Sequence, residues 1–229
     1  MCGRYTRMYT WAELYALYML TLAKSNFQPR YNICPTTRVD VITSKDGQKE
    51  LQEMRWGLVP SWWSKPLKEL RLATFNARAE TVHEKPFFRR AFKSKRCIIP
   101  ASGYYEWQTI GKEKQPWYFT GQGPVLSIAG IWDEWTDKET GQPLKSCSMI
   151  ITEPNKFVAE VHDRMPVLLQ PAQFDGWLSG ELGRESLVPA PEDLLNKIPV
   201  SKRVNSSRTP DEDETLIQSV DVQIQRSIM

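Results

Sequence analysis

The chain has 229 residues, is 41% hydrophobic and 25% charged, and carries a formal net charge of +3. That is the composition of an ordinary soluble globular protein, long enough for one large domain or two small ones with a substantial core. The longest apolar stretch, residues 14–23, is too short for a bilayer span, and no small-residue cleavage site follows it, so neither a membrane segment nor a signal peptide is expected.

Taken in chain order, Thr10 and Glu13 form a capping box, and Trp11, Leu14, Tyr15, Tyr18 and Leu22 recur at helical spacing. A helix over Trp11–Lys24 is predicted. Short β-rich runs follow at Arg38–Thr43 and Leu51–Leu58, split by the turn Lys45-Asp46-Gly47. A second helix is predicted to start at Pro86, with Phe87, Phe88, Ala91 and Phe92 inward and its basic residues outward. Further strands are expected at Cys97–Trp107, Trp117–Thr120, Val125–Trp132, Cys147–Thr152 and Pro166–Leu169. A third helix is expected at Pro171–Leu178, stopped by Gly180.

Strands outnumber helices and do not alternate with them, which argues for an α+β domain around an antiparallel or mixed sheet. No repeat or linker divides the chain, and one domain ending near Asn205 is the simplest reading. The charge is uneven: residues 85–96 hold six basic side chains and no acid, whereas Asp211–Glu214 is wholly acidic. The basic run fits a phosphate-facing surface or a solvated helix face equally well. Cys2, Cys34, Cys97 and Cys147 show neither zinc-ligand nor disulfide-framework spacing, so reduced thiols in a cytoplasmic protein are expected, with no metal and no cofactor.

Several clusters hold candidate chemistry. Cys2 stands directly after Met1; once Met1 is removed it carries an α-amine beside its thiol, a pair that closes a thiazolidine ring on an aldehyde. If Met1 stays, Cys2 is only a second residue. In Asn76-Ala77-Arg78-Ala79-Glu80, an extended chain puts the amide, guanidinium and carboxylate on one face, suited to orienting a phosphate or simply to solvent. Glu106 is flanked by aromatic residues in Tyr104-Tyr105-Glu106-Trp107; burial would raise its pKa and make it a proton donor, unless an arginine pairs with it. His162 beside Arg164 offers a proton shuttle next to an anion anchor, or a hydrogen-bonded structural histidine. Trp62 and Trp63, after a proline turn, suit stacking on unpaired bases or a place in the core.

Together these segments resemble the SOS-response-associated peptidase (SRAP) family, the abasic-site processing proteins found from bacteria to animals. The resemblance rests on Met1-Cys2-Gly3-Arg4-Tyr5, Arg30-Tyr31-Asn32 before Pro35-Thr36, and the run from Trp56 to Trp63. It continues through Asn76–Thr81, Arg96–Trp107 and His162–Pro166. It implies one α+β domain over residues 1–206, a branched mixed or antiparallel sheet curled into a pseudo-barrel with flanking helices. The order of the polar segment 207–229 stays open.

The same resemblance implies single-stranded DNA bearing abasic sites as the partner, with single-strand/double-strand junctions as an extension. No membrane partner is implied, and a monomer, nucleoid-associated when DNA-bound, is expected. Carried over by motif, Cys2 is the nucleophile, Asn76 orients the opened sugar, Glu106 handles protons, and His162 assists proton transfer and reversal. Arg4, Arg78 and Arg164 would hold phosphates, while Trp62 and Trp63 would abut the bases. Two departures stand out: Cys34 occupies a position where the family often has alanine, and 206–214 matches no family motif. Two other functions remain open at this level: a cysteine autopeptidase acting in cis, for which Met1 alone leaves little to cleave, and a non-catalytic single-strand-binding module.

Overall fold

A computed structural model describes residues 2–20 and 27–222. Its strands are β1 (Arg4–Arg7), β2 (Arg30–Ile33), β3 (Arg38–Lys45), β4 (Gln48–Trp56), β5 (Asn76–Arg78), β6 (Arg96–Ala101), β7 (Gly103–Ile110), β8 (Glu113–Gly121), β9 (Leu126–Thr136), β10 (Pro143–Thr152), β11 (Met165–Pro166) and β12 (Leu195–Pro199). The α-helices are short: α1 (Trp11–Tyr18), α2 (Arg89–Ser94), α3 (Lys156–Ala159) and α4 (Phe174–Ser179).

The strands β10-β4-β3-β6-β9 close on themselves, because β9 pairs with both β6 and β10, and so form a five-stranded barrel. β10 is the branch point. One edge pairs with β9 over residues 143–149 and then with β11; the other runs parallel first to β4 and then to β5. The hand-over from β4 to β5 is made at Gly57, whose φ of +135° turns the chain away while its amide still donates to the Cys147 carbonyl at 2.8 Å. A Cβ there would lie 2.6 Å from the Arg55 guanidinium. A second, antiparallel sheet has the order β12-β8-β7-β1-β2. The expected branched pseudo-barrel with flanking helices is the observed fold.

Side chains alternate along the strands, and β6, most of β9 and the second half of β10 are buried on both faces. Cys97, Ile99, Met149 and Ile151 point into a core shared with Cys2, Tyr5 and Tyr104 of the antiparallel sheet. Ile98 and Ile150 point the other way, under Leu14 and Tyr18 of α1 and Phe174 and Trp177 of α4. Each such side chain, fully buried, contributes about 1.5–3 kcal/mol.

Several boundaries depart from the sequence reading. The capping box of α1 forms as expected, but Met19 takes a left-handed φ of 54° and ends the helix at Tyr18; residues 21–24 of the predicted helix lie outside the described residues. The helix expected from Pro86 begins only at Arg89, after a series of turns. Phe87 there packs sideways on Trp62 and Trp63, with centroids 5.2 and 5.9 Å away, and not under the helix. The run expected as one strand over Cys97–Trp107 breaks at Ser102, where the chain leaves the barrel for the second sheet. Gly103 makes that corner possible, since a Cβ would meet the Phe119 carbonyl and Tyr118 hydroxyl at 2.5 Å. Residues 208–222 lie against the second sheet: the Tyr31 amide donates to Asp211, Arg30 pairs with the Asp211 carboxylate, and Leu216 is buried. Among the described residues no helix is long and apolar enough to cross a membrane.

A candidate active site around Cys2

β1 runs between β7 and β2, with Arg4 opposite Tyr105, and this register carries the residues preceding β1 alongside Glu106. Cys2 is fully buried in the core cluster. Its carbonyl accepts a 2.8 Å hydrogen bond from Asn76 Nδ2, the first residue of β5, which β10 holds in place through Met149. Burial, reinforced by the Glu106 carboxylate, pushes the Cys2 thiol well above its ordinary pKa, so the sulfur rests as S–H near neutral pH.

Glu106 occupies the middle strand of the second sheet and is fully buried. Burial, with the Asp163 charge acting in the same direction, pushes its carboxyl up to about 8. It is therefore mostly protonated at neutral pH. His162 Nε2 lies 3.7 Å from Glu106 Oε2. Burial lowers the pKa of the imidazole, keeping the ring neutral, and the Arg164 amide donates to Nδ1 at 3.0 Å. An amide only donates, so Nδ1 is the acceptor and the ring proton sits on Nε2, facing Glu106.

The predicted strand face divides. Asn76 is buried against Cys2, Arg78 is exposed, and Glu80 accepts from the Arg164 guanidinium. Asn76 and Arg78 also line a cleft of about 450 Å³ with Leu72, Lys85, Phe87 and Phe88. Phe87 joins this cleft to Trp62 and Trp63, whose rings lie 6.3 Å apart; Trp62 is 46% exposed.

The structure thus gathers Cys2, Asn76, Glu106 and His162, places Arg78 and Arg164 beside them, and sets Trp62 and Trp63 beyond the cleft. Arg4 does different work: its guanidinium donates to Asn32 Oδ1 and to the carbonyls of Val204, Asn205 and Ser206. Sequence reading assigned Asn32 no role, yet it supports this tie by donating to the Ser206 and Thr209 carbonyls as well. Lys85 and Phe87 as cleft walls were also missed, because their positions follow from the turns before α2. Among the described residues no group of three or more His, Cys, Asp and Glu gathers as a metal site.

The fold and site define a branched-barrel protein in which Cys2 is buried near Glu106 and held by Asn76. A family model described as SOS response associated peptidase (SRAP) matches residues 1–207, and the chain belongs to that family. Among its relatives, abasic site processing protein YoaM of Bacillus subtilis is 36% identical over 217 residues, covering 91% of this chain and 94% of that protein. Abasic site processing protein HMCES of Xenopus tropicalis is 34% identical over 215 residues, covering 80% of this chain and 64% of that protein. A crystal structure of a Bacteroides thetaiotaomicron protein superposes with a TM-score of 0.85 at 29% identity, covering 96% of this chain and all of that one.

Proposed function

We propose that this protein, once Met1 is removed, binds single-stranded DNA and crosslinks Cys2 to the ring-opened sugar of an abasic site. The observation that carries this reading is the placement of a buried cysteine, held through its carbonyl by Asn76, against a carboxyl that is protonated at neutral pH. The names of the relatives point to the same lesion.

The chemistry follows from these groups. An α-amine has an ordinary pKa of about 7.7–8.0, so a useful neutral fraction exists near pH 7. Its nitrogen adds to the sugar aldehyde carbon, and the resulting carbinolamine needs an acid to expel water. The Glu106 carboxyl supplies that proton, leaving a C=N bond and a carboxylate. The C=N nitrogen still carries its own proton, so the S–H of Cys2 adds to an iminium: sulfur bonds to the former aldehyde carbon, the C=N electron pair returns to nitrogen as a neutral secondary amine, and the Glu106 carboxylate takes the thiol proton. Aldehyde and aminothiol give thiazolidine and one water, with no redox partner. Holding the thiol beside the imine makes ring closure effectively intramolecular, which offsets the weak nucleophilicity of an un-ionised thiol.

His162, neutral with its proton toward Glu106, relays protons to and from that carboxyl in the forward reaction and its reversal. Arg78 and Arg164 hold the flanking phosphates, and Trp62 and Trp63 meet the adjacent bases. Arg4, with its four carbonyl-type acceptors, contributes by fixing the 204–206 turn beside β1.

The test is a denaturing gel of the Met1-free protein incubated with single-stranded DNA carrying one abasic site. A heat-stable band is expected, absent with intact DNA and lost in Cys2→Ala. A Cys2→Ala band as stable as wild type overturns the thiazolidine, and the absence of any covalent band leaves only a binding module.

A further inference from the structure

Tyr104 lies two residues before Glu106 on β7, so the two side chains share one face of the strand. It is paired across the sheet with Tyr5 on one side and Phe119 on the other. Its ring lies flat on Phe119, with centroids 5.0 Å apart and planes 8° apart, and Phe157 closes edge-on over Phe119. The side chain is fully buried and belongs to the same core cluster as Cys2. Among the described residues its hydroxyl has no hydrogen-bond partner. Burial first, then the charges of Cys2 and Glu106, hold the phenol well above its ordinary pKa, so it remains a donor at any working pH.

An unpartnered buried hydroxyl is disfavoured by its lost hydration, and phenylalanine would fill the same stacked position without that cost. Asn76, which touches Cys2, repeats the pattern. Its Nδ2 serves the Cys2 carbonyl, while its Oδ1 is buried with no partner among the described residues. The reacting cysteine is thus accompanied by one unused donor and one unused acceptor, both out of water.

We propose that Tyr104 is a further catalytic residue, whose hydroxyl donates to the aldehyde oxygen of the substrate. This rests on the abasic-site reading. As the amine nitrogen bonds to the aldehyde carbon, the C=O electron pair moves onto oxygen, and the Tyr104 hydrogen bond stabilises that developing charge. That oxygen then takes one proton from the added amine nitrogen and one from Glu106 and leaves as water, and Tyr104 keeps its own proton throughout.

The decisive variant is Tyr104→Phe in the full Met1-free chain, which retains the ring on Phe119 and removes only the oxygen. Three quantities are compared with wild type: the crosslinking rate constant at saturating abasic DNA, the affinity for intact single-stranded DNA, and the thermal midpoint. The rate constant is expected to fall about 10- to 100-fold. Affinity should be unchanged, and the midpoint equal or higher. An undiminished rate overturns the proposal. So does a lowered midpoint in step with the rate, since the hydroxyl would then be structural.

A second arm uses a short aliphatic aldehyde without DNA and follows thiazolidine formation on Cys2 by mass. The same slowing is expected there, because the donor acts on the carbonyl oxygen itself. If wild type reacts with the aldehyde but not with abasic DNA, the lesion assignment fails and the Tyr104 role is still decided by the aldehyde rates.

Discussion

Glu106 and Trp62 mark two parts of one site built in opposite ways. The carboxyl is fully buried on the middle strand of a five-stranded sheet, and burial pushes its pKa to about 8. The indole is 46% exposed on the turn that follows β4, with its ring against those of Trp63 and Phe87. A strand interior fixes a proton donor to within a fraction of an ångström and dries it, which chemistry requires. A turn presents an aromatic face to solvent, which sequence-tolerant base stacking requires. Damage to the inner part should therefore appear in rate constants, and damage to the outer part in affinity.

The largest expected separation comes from Glu106→Gln. Removing a positioned acid should slow crosslinking by about 10²- to 10⁴-fold while leaving DNA affinity intact. A comparable loss of affinity would recast Glu106 as a structural residue. The pH dependence sharpens this. Glu106 acts in its protonated form, so the wild-type acid-assisted step should weaken as pH rises through about 8, and Glu106→Gln should lose that limb of the profile. The same group links pH to folding. Its folded pKa lies above the unfolded value, so its contribution to stability is full below the ordinary glutamate range and is lost as pH rises toward 8. Thermal midpoints measured across that window should therefore fall less steeply in Glu106→Gln.

Trp62→Ala addresses the outer part. A stacked base contributes about 1–3 kcal/mol, so affinity for single-stranded DNA should fall by roughly 5- to 150-fold. At saturating DNA the crosslinking rate constant should match wild type; a slower saturated rate would mean that the aromatic turn shapes the inner site as well.

How much of this was legible in the sequence depends on distance along the chain. Cys2, Asn76, Glu106 and His162 were readable as a set only through the family resemblance, since each local segment by itself also fits a structural role. The barrel strands β3, β9 and β10 were readable from short runs rich in β-branched and other apolar residues, whereas β4 holds only Leu51, Met54 and Trp56 as apolar residues and its first three positions were missed. Strands β1, β2 and β12 were not, since four or five residues with interspersed Arg, Asn or Lys carry too little pattern. The corner at Ser102 was hidden because the residues on both sides of it are buried, so hydropathy never changes there. Arg4 illustrates the remaining limit: its acceptors in 204–206 are 200 residues away in sequence, and no local signal announces them.

The smallest expected effect tests the seam between the two parts, where Arg164 follows His162 in sequence and donates to Glu80 at the surface. Glu80 is held below the ordinary carboxylate range: burial opposes this, but hydrogen bonding, including that from Arg164, outweighs it, and the Arg164 and Arg78 charges assist. The carboxylate therefore stays ionised and partly neutralises two arginines assigned to phosphates. Glu80→Gln removes that competitor. Because the Glu80 carboxylate is about half exposed and so well screened, the stability cost should be only about 0–1 kcal/mol. DNA affinity should instead rise a few-fold at low ionic strength, with the gain fading as added salt screens the arginines. Unchanged affinity at every salt concentration would show that neither arginine reaches a phosphate, leaving the outer site to its aromatic residues alone.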